Sequence, residues 1–257
     1  MKIYIMTDFE GVSGVRTQEE SATGTAPYEV ARKFLVADVN AAIAGAFDGG
    51  ATEVLVRDGH GRGFNFLLDL MDPRAVYVGN AAENWLPHLD ATCDAAFFVG
   101  AHAMAGTQDA FLDHTQSYAW YCYSVNGRAM GEQGQLGAIA GSYGVPVVLV
   151  TGDEAACVEA RHFFPGCEAV AVKRAEGRQS ARCMHPLRAQ ALIRAAAQRA
   201  MRLTRTVPPM VTTWPAEVAL EFTRTDYADG LAAARGVDRL GPRTVRWFAA
   251  HANELLL

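Results

Sequence analysis

The sequence predicts an α/β protein, with a mostly parallel sheet flanked by helices and a smaller C-terminal α+β domain. Three observations carry that prediction. Short apolar runs end abruptly in acidic or glycine-rich sequence, as buried parallel strands do. These runs alternate with segments of helical spacing, the order produced when parallel strands are joined by crossover helices. After Lys173 the texture changes to a polar stretch and an alanine-rich, arginine-bearing helix, which places a boundary between a domain of residues 1–175 and one of residues 176–257.

Residues 2–7 form the first strand and give way at once to Asp8 and Glu10. Residues 15–27 are small, polar and aperiodic, and read as a functional loop. Apolar residues at Val30, Phe34, Leu35, Val39 and Ile43 then define a helix over 28–47, stopped by Gly49 and Gly50. A second strand at 53–56 leads into a loop, 57–63, holding three glycines. Further strands fall at 75–78 and 95–101, and a hairpin over 117–130 turns on Asn126-Gly127. A helix over 134–142, a strand at 147–150, an Asp153-capped helix to Phe163 and a strand at 168–172 complete the first part. The second part offers a helix over 185–201, strands at 216–222 and 244–248 with a helix between them, and a helical carboxyl end.

Composition narrows the function. The 257 residues carry 23 Lys and Arg against 28 Asp and Glu, a net charge of −5 that leaves no basic stripe for nucleic acid. No run approaches the roughly 20 apolar residues of a membrane span, and Asp8 and Glu10 interrupt any signal-like start. Five scattered cysteines, with no Cys-x-x-Cys pair, fit neither a disulfide framework nor a thiolate zinc knuckle, so a reducing cytoplasm is the expected location.

The informative pattern is where acids and imidazoles fall, because open α/β sheets bind ligands beyond the carboxyl ends of their strands. Asp8 and Glu10 follow the first strand at period-two spacing, so an extended backbone projects both carboxylates to one side. His60 follows the second strand and His102 follows the strand at 95–101. His114 and Glu132 come from the loop and hairpin beyond it. Each has a bland alternative: an Asp after a strand caps turns, a loop histidine decorates the surface, and Glu132 alone could simply open a helix. His88, His162, His185 and His251 lie away from strand ends and stay structural or exposed. For Lys173, a contact to substrate or to a neighbouring subunit competes with the simpler account of a solvated strand-end lysine.

If Asp8, Glu10, His60, His102 and Glu132 converge, three carboxylates and two imidazoles suit two divalent ions better than one. With Asp8 bridging, they make about six bonds to two tetrahedral ions, and the remaining pair of positions suits one bridging hydroxide that also balances the charge. Such a pair activates water and polarises a carbonyl, which is the chemistry of metal-assisted hydrolysis.

These residues also resemble a known family. Asp8-Phe9-Glu10-Gly11-Val12-Ser13-Gly14, Asp58-Gly59-His60, Gly100-Ala101-His102, His114 and Gly131-Glu132-Gln133-Gly134 are similar to the motifs of the DppA-type D-aminopeptidases, the zinc metallopeptidases of family M55. The likeness covers residues 1–185 well and the remainder loosely. It implies a two-zinc site of Asp8, Glu10, His60, His102 and Glu132, with Asp8 shared and a catalytic role for His114. It also implies a homo-oligomer, a decamer of two stacked pentamers, that admits short peptides. Two alternatives from other classes are a binuclear-metal phosphoesterase and a non-catalytic ligand-binding α/β protein.

Overall fold

A computed structural model describes residues 1–79 and 85–256. It contains a seven-stranded sheet built from β1 (Lys2–Thr7), β2 (Glu53–Asp58), β3 (Val76–Val78), β4 (Ala95–Ala101), β7 (Val147–Asp153), β8 (Glu168–Gly177) and β9 (Ser180–Cys183). Their order is β3-β2-β1-β4-β7-β8-β9, parallel throughout except for the β8–β9 hairpin. From β1 the chain first builds outward through β2 and β3, then returns to β4 on the other side. The crevice between β1 and β4 is therefore the topological switch point, where such sheets bind ligands.

One face of this sheet is covered by α2 (Ala26–Asp48) and α5 (Pro186–Ala200). Ile3, Ile5, Val54, Val56, Phe97 and Val99 pack there against Leu35, Val39, Ile43 and Ile193. On the other face, Tyr4, Met6 and Phe98 share a core with α3 (Glu132–Ser142), α4 (Glu154–Phe163) and a second, antiparallel sheet. That sheet runs β11-β12-β10-β5-β6 and consists of β5 (Trp120–Val125), β6 (Arg128–Ala129), β10 (Ala216–Phe222), β11 (Asp238–Arg239) and β12 (Thr244–Ala249). A helix, α6 (Thr225–Ala232), links β10 to β11. Among the described residues no helix is long and apolar enough to cross a membrane.

Several elements differ from the sequence reading. The hairpin over 117–130 turns on Asn126-Gly127, both at positive φ, but it belongs to the antiparallel sheet, where β5 pairs with β10. The polar stretch 174–183 is not a linker; it completes β8 and forms β9, a half-exposed edge hairpin whose polar residues face water. A cut between residues 175 and 176 would pass through β8, and α5 beyond it packs on α2 over the parallel sheet. Division by sheet is thus not division by sequence. The 15–27 loop contains a four-residue helix, α1 (Gln18–Ser21), held by a Thr17–Glu20 capping box. The carboxyl end holds a single 3-10 turn, Ala252–Glu254, in place of the expected helix.

Candidate metal centre

Two glycines let the strand ends of the switch point close on each other. Asp8 N donates to Val99 O and Gly11 N to Gly100 O, both at 2.8 Å. A Cβ on Gly11 would fall within 3.0 Å of the Ala101 and Gly100 carbonyls, and one on Gly100, at φ +83, would fall within 3.0 Å of Asp8 O. Only glycine fits this approach, and it brings Asp8 and Glu10 beside His102.

The loop carrying the two carboxylates is tied down from beneath. Ser13 donates through N and Oγ to Asp38 of α2, both at 2.7 Å. Burial pushes the Asp38 carboxyl up to about 6. Lys173 Nζ donates to Glu10 O at 2.5 Å and Val15 O at 2.6 Å, with Phe111 beside it at 4.8 Å. Lys173 is therefore 4% exposed, which corrects the reading of it as a solvated strand-end lysine. Burial lowers its ammonium to about 8.

Each histidine spends one ring nitrogen on a backbone carbonyl, and since a carbonyl only accepts, that nitrogen carries the proton. His60 Nε2 donates to Ser21 O at 3.0 Å, His102 Nδ1 to Ala103 O at 3.0 Å, and His114 Nδ1 to Leu112 O at 2.7 Å. Whenever such a ring is neutral, its opposite nitrogen is thereby left as a bare lone pair. His60 Nδ1 lies 3.1 Å from Asp8 Oδ1 and 3.2 Å from Glu10 Oε2. His102 Nε2 lies 3.1 Å from Asp8 Oδ2 and 3.3 Å from Glu132 Oε1. Asp8 thus presents one oxygen to each imidazole.

The result is two donor sets, Asp8–Glu10–His60 and His102–His114–Glu132, each with its ligand atoms within 4.8 Å of one another. All six residues expected from sequence come together here. The His102 and His114 rings stack at 3.9 Å, and Gln116 N donates to Glu132 Oε1 at 2.7 Å. Asp58, part of the resembling motif, instead accepts from Asn65 N and Nδ2 at 2.7 and 2.8 Å and shapes the His60 loop.

Carboxylate oxygens facing bare imidazole nitrogens repel unless a cation lies between them. Asp8 Oδ2, Glu10 Oε2 and His102 Nε2 are buried without a hydrogen bond of good geometry, as an ion-binding set requires. Without an ion, protons do the job. Burial alone would lower both His60 and His102, but the facing carboxylates outweigh it and hold both imidazoles well above 6.5. Burial alone would raise Glu10 and Glu132; the facing histidines prevail, holding Glu10 well below its ordinary value and lowering Glu132. Oxygen and imidazole donors of this kind, with no thiolate, fit a pair of divalent ions such as zinc. Asp8, Glu10, His60, His114 and Glu132 border a cavity of about 450 Å³ that also meets Arg57, Ser21, Trp85 and Tyr118, while His102 lies behind them.

A family model described as peptidase M55, D-aminopeptidase, matches residues 1–256. The chain belongs to the M55 D-aminopeptidase family. The match spans the second part of the chain as well as residues 1–185, and it makes this protein an aminopeptidase-class hydrolase by kinship. A D-aminopeptidase of Bacillus subtilis strain 168 is 30% identical over 252 residues, covering 97% of this chain and 92% of that protein. The solved Zn-dependent D-aminopeptidase DppA from Bacillus subtilis, called a self-compartmentalizing protease, superposes with a TM-score of 0.96 at 30% identity, over 99% of this chain and 94% of that one.

Sequence reasoning missed three features of this M55 site. The buried role of Lys173 and the backbone partner of His60 at Ser21 leave no local trace. Arg57 did leave one: it is a charged residue directly after the apolar run 54–56 and directly before Asp58-Gly59-His60.

Proposed function

We propose that this chain is a two-zinc aminopeptidase that removes N-terminal D-amino acids from short peptides, acting in the cytoplasm as a homo-oligomer, a decamer by the family resemblance. The observation that carries the reading is Asp8 reaching His60 with one carboxylate oxygen and His102 with the other, at 3.1 Å each. That arrangement supports a shared ligand between two ions. The Bacillus subtilis relative being Zn-dependent and self-compartmentalizing supports the metal and the assembly.

Asp8, Glu10 and His60 would hold one ion, and His102, Glu132 and the second Asp8 oxygen the other. Zinc bound there supplies Lewis acidity, which activates water near neutral pH and polarises a peptide carbonyl. The protein's own groups do the rest. The Leu112 carbonyl fixes the His114 tautomer, so Nε2 is the nitrogen left for the cavity, where it can carry a proton to the departing amine. The cavity has the size of a small-ligand site and suits a short peptide.

Metal analysis combined with a panel of D- and L-alanyl dipeptides tests the proposal. Two zinc ions per chain, faster turnover of D-alanyl peptides and loss of activity on chelation are the expected results. Fewer than about one ion per chain after reconstitution, or cleavage of nitrophenyl phosphate without any peptide cleavage, would overturn it.

A further inference from the structure

Among the described residues Arg57 is a buried cation without a hydrogen-bond or ion-pair partner. It is 6% exposed, and no hydrogen bond or ion pair joins its guanidinium to any described residue; Nε and Nη1 are buried and unsatisfied. The polar groups next to it are engaged elsewhere rather than with its guanidinium. Both Asp58 oxygens accept from Asn65, and the Tyr4 hydroxyl donates to Pro87 O at 3.1 Å. Leaving a charge in this state is costly, so a fold that keeps it has a use for it.

Its position suggests the use. On β2, Val54 and Val56 enter the core beneath α2, whereas Leu55 enters the opposite core with Tyr4 and Leu86. Period two puts Arg57 on the Leu55 side, and it lines the same cavity as Asp8, His60 and Glu132. Among the described lining residues it is the only Lys or Arg. In the β1–β2 register Arg57 pairs with Met6, two residues before Asp8, so the two backbones start roughly 7 Å apart along the strands. An extended di- or tripeptide spans that distance at about 3.5 Å per residue.

We infer that Arg57 is the receptor for a carboxylate of the substrate, which makes it a specificity-determining residue for short peptides. The guanidinium fork matches a carboxylate with two parallel N–H···O bonds, and burial away from water strengthens them. The inference rests on the peptidase reading above and adds to it which part of the peptide is recognised. The carboxylate comes either from the peptide's C-terminus or from an acidic second side chain.

Wild-type kinetics distinguish these sources: D-alanyl-D-alanine against its C-terminal amide, and D-alanyl-D-glutamyl amide against the D-glutaminyl amide. A carboxylate-bearing member is expected to lead its neutral counterpart by about 10–100-fold in kcat/KM, mostly through KM. In Arg57→Met the favoured ratio should collapse to within about threefold of unity at unchanged zinc content, and Arg57→Lys should restore part of it. No discrimination in either wild-type pair, or full discrimination in Arg57→Met, overturns the assignment; the wild-type comparison stands even if the variants fold poorly. If no peptide is cleaved at all, the peptidase reading fails, and Arg57 is read separately by titrating N-acetyl-D-alanine into the zinc-loaded wild type and Arg57→Met. Weaker binding by the variant supports the receptor, and equal affinity refutes it.

Discussion

Replacing Gly100 by Ala tests whether the close crossing of the β1 and β4 ends is what assembles the metal site. Two effects need separating. Gly100 sits at φ +83, so any side chain there incurs roughly 1–2 kcal/mol of backbone strain. The added Cβ would also lie closer than 3.0 Å to Asp8 O, a backbone atom that cannot swing aside as a side-chain tip does. Asp8 must then retreat by on the order of 1 Å, against the ~0.5 Å tolerance of a metal or catalytic constellation. Gly106 is the control, because it has the same φ of +83 and nothing within 4 Å of its Cβ position. Gly106→Ala should lose only the ~1–2 kcal/mol of strain and keep its metal. Gly100→Ala should lose a further ~1–3 kcal/mol from overpacking, bind less zinc and fall about a hundredfold in kcat/KM on a D-alanyl dipeptide. Urea unfolding, zinc stoichiometry and kinetics on both variants give the comparison. If Gly100→Ala keeps full metal and stays within threefold of Gly106→Ala in kcat/KM, the crossing does not position Asp8 and the account of the site is wrong.

Three further outcomes follow from the same geometry. His114→Ala should lower kcat by about 10²–10⁴ with zinc content unchanged, and loss of zinc would move His114 into the ligand set beside His102 and Glu132. Because the facing carboxylates hold His60 and His102 well above 6.5, the metal-free protein carries protons on both at pH 7; zinc must displace them, so apparent affinity falls as pH falls, by about tenfold per pH unit for each proton. Calorimetry in buffers of different ionisation heat should show about two protons released per chain, and release of fewer than about 0.5 would refute the assignment. Glu159, which accepts from Met104 N at 2.8 Å, is pushed by burial up to about 7 from 4.5. The folded state then binds its proton more tightly than the unfolded one, so its stabilising contribution is complete below about pH 4.5 and is lost as pH rises to about 7, a loss of about 3 kcal/mol. Glu159→Gln should flatten that part of the pH 5–8 unfolding profile of metal-free protein, and an unchanged profile would count against it.

What was legible in the sequence, and what was not, divides along physical lines. β1 and β4 were bounded correctly because strands buried on both faces of a parallel sheet are nearly continuous apolar runs, and their acidic or glycine-rich ends mark where burial stops. The candidate ligands were legible for the same reason, since acids and imidazoles at the carboxyl ends of neighbouring strands have one crevice to enter. The sheet to which β5 belongs was not legible. Its partner β10 lies nearly a hundred residues away, and period-two patterning announces a strand without naming its neighbour. Lys173 looked solvated because its partners, the Glu10 and Val15 carbonyls, are 163 and 158 residues distant and belong to the backbone, which no residue type reveals.

The same backbone explains why this cluster selects cations rather than merely collecting charge. The Ser21, Ala103 and Leu112 carbonyls each accept a hydrogen bond from one nitrogen of a histidine, and for His60 and His102 this directs the other nitrogen toward the carboxylates. Three carboxylates alone would repel one another and draw protons, raising their own pKa values. Interleaved with imidazoles of fixed tautomer, they become pairs that only a shared cation satisfies, and a divalent ion does so without the repulsion that remains between neighbouring imidazoliums. Arg57 stands apart from this logic. It sits in the same cavity with no described residue hydrogen-bonded to its guanidinium, so once metals neutralise the carboxylates it is the remaining fixed positive charge among the described lining residues that can meet an anionic end of the substrate. Cation binding at one wall and carboxylate recognition at another are thus separable, and Arg57→Met is expected to alter the second while zinc stoichiometry reports the first.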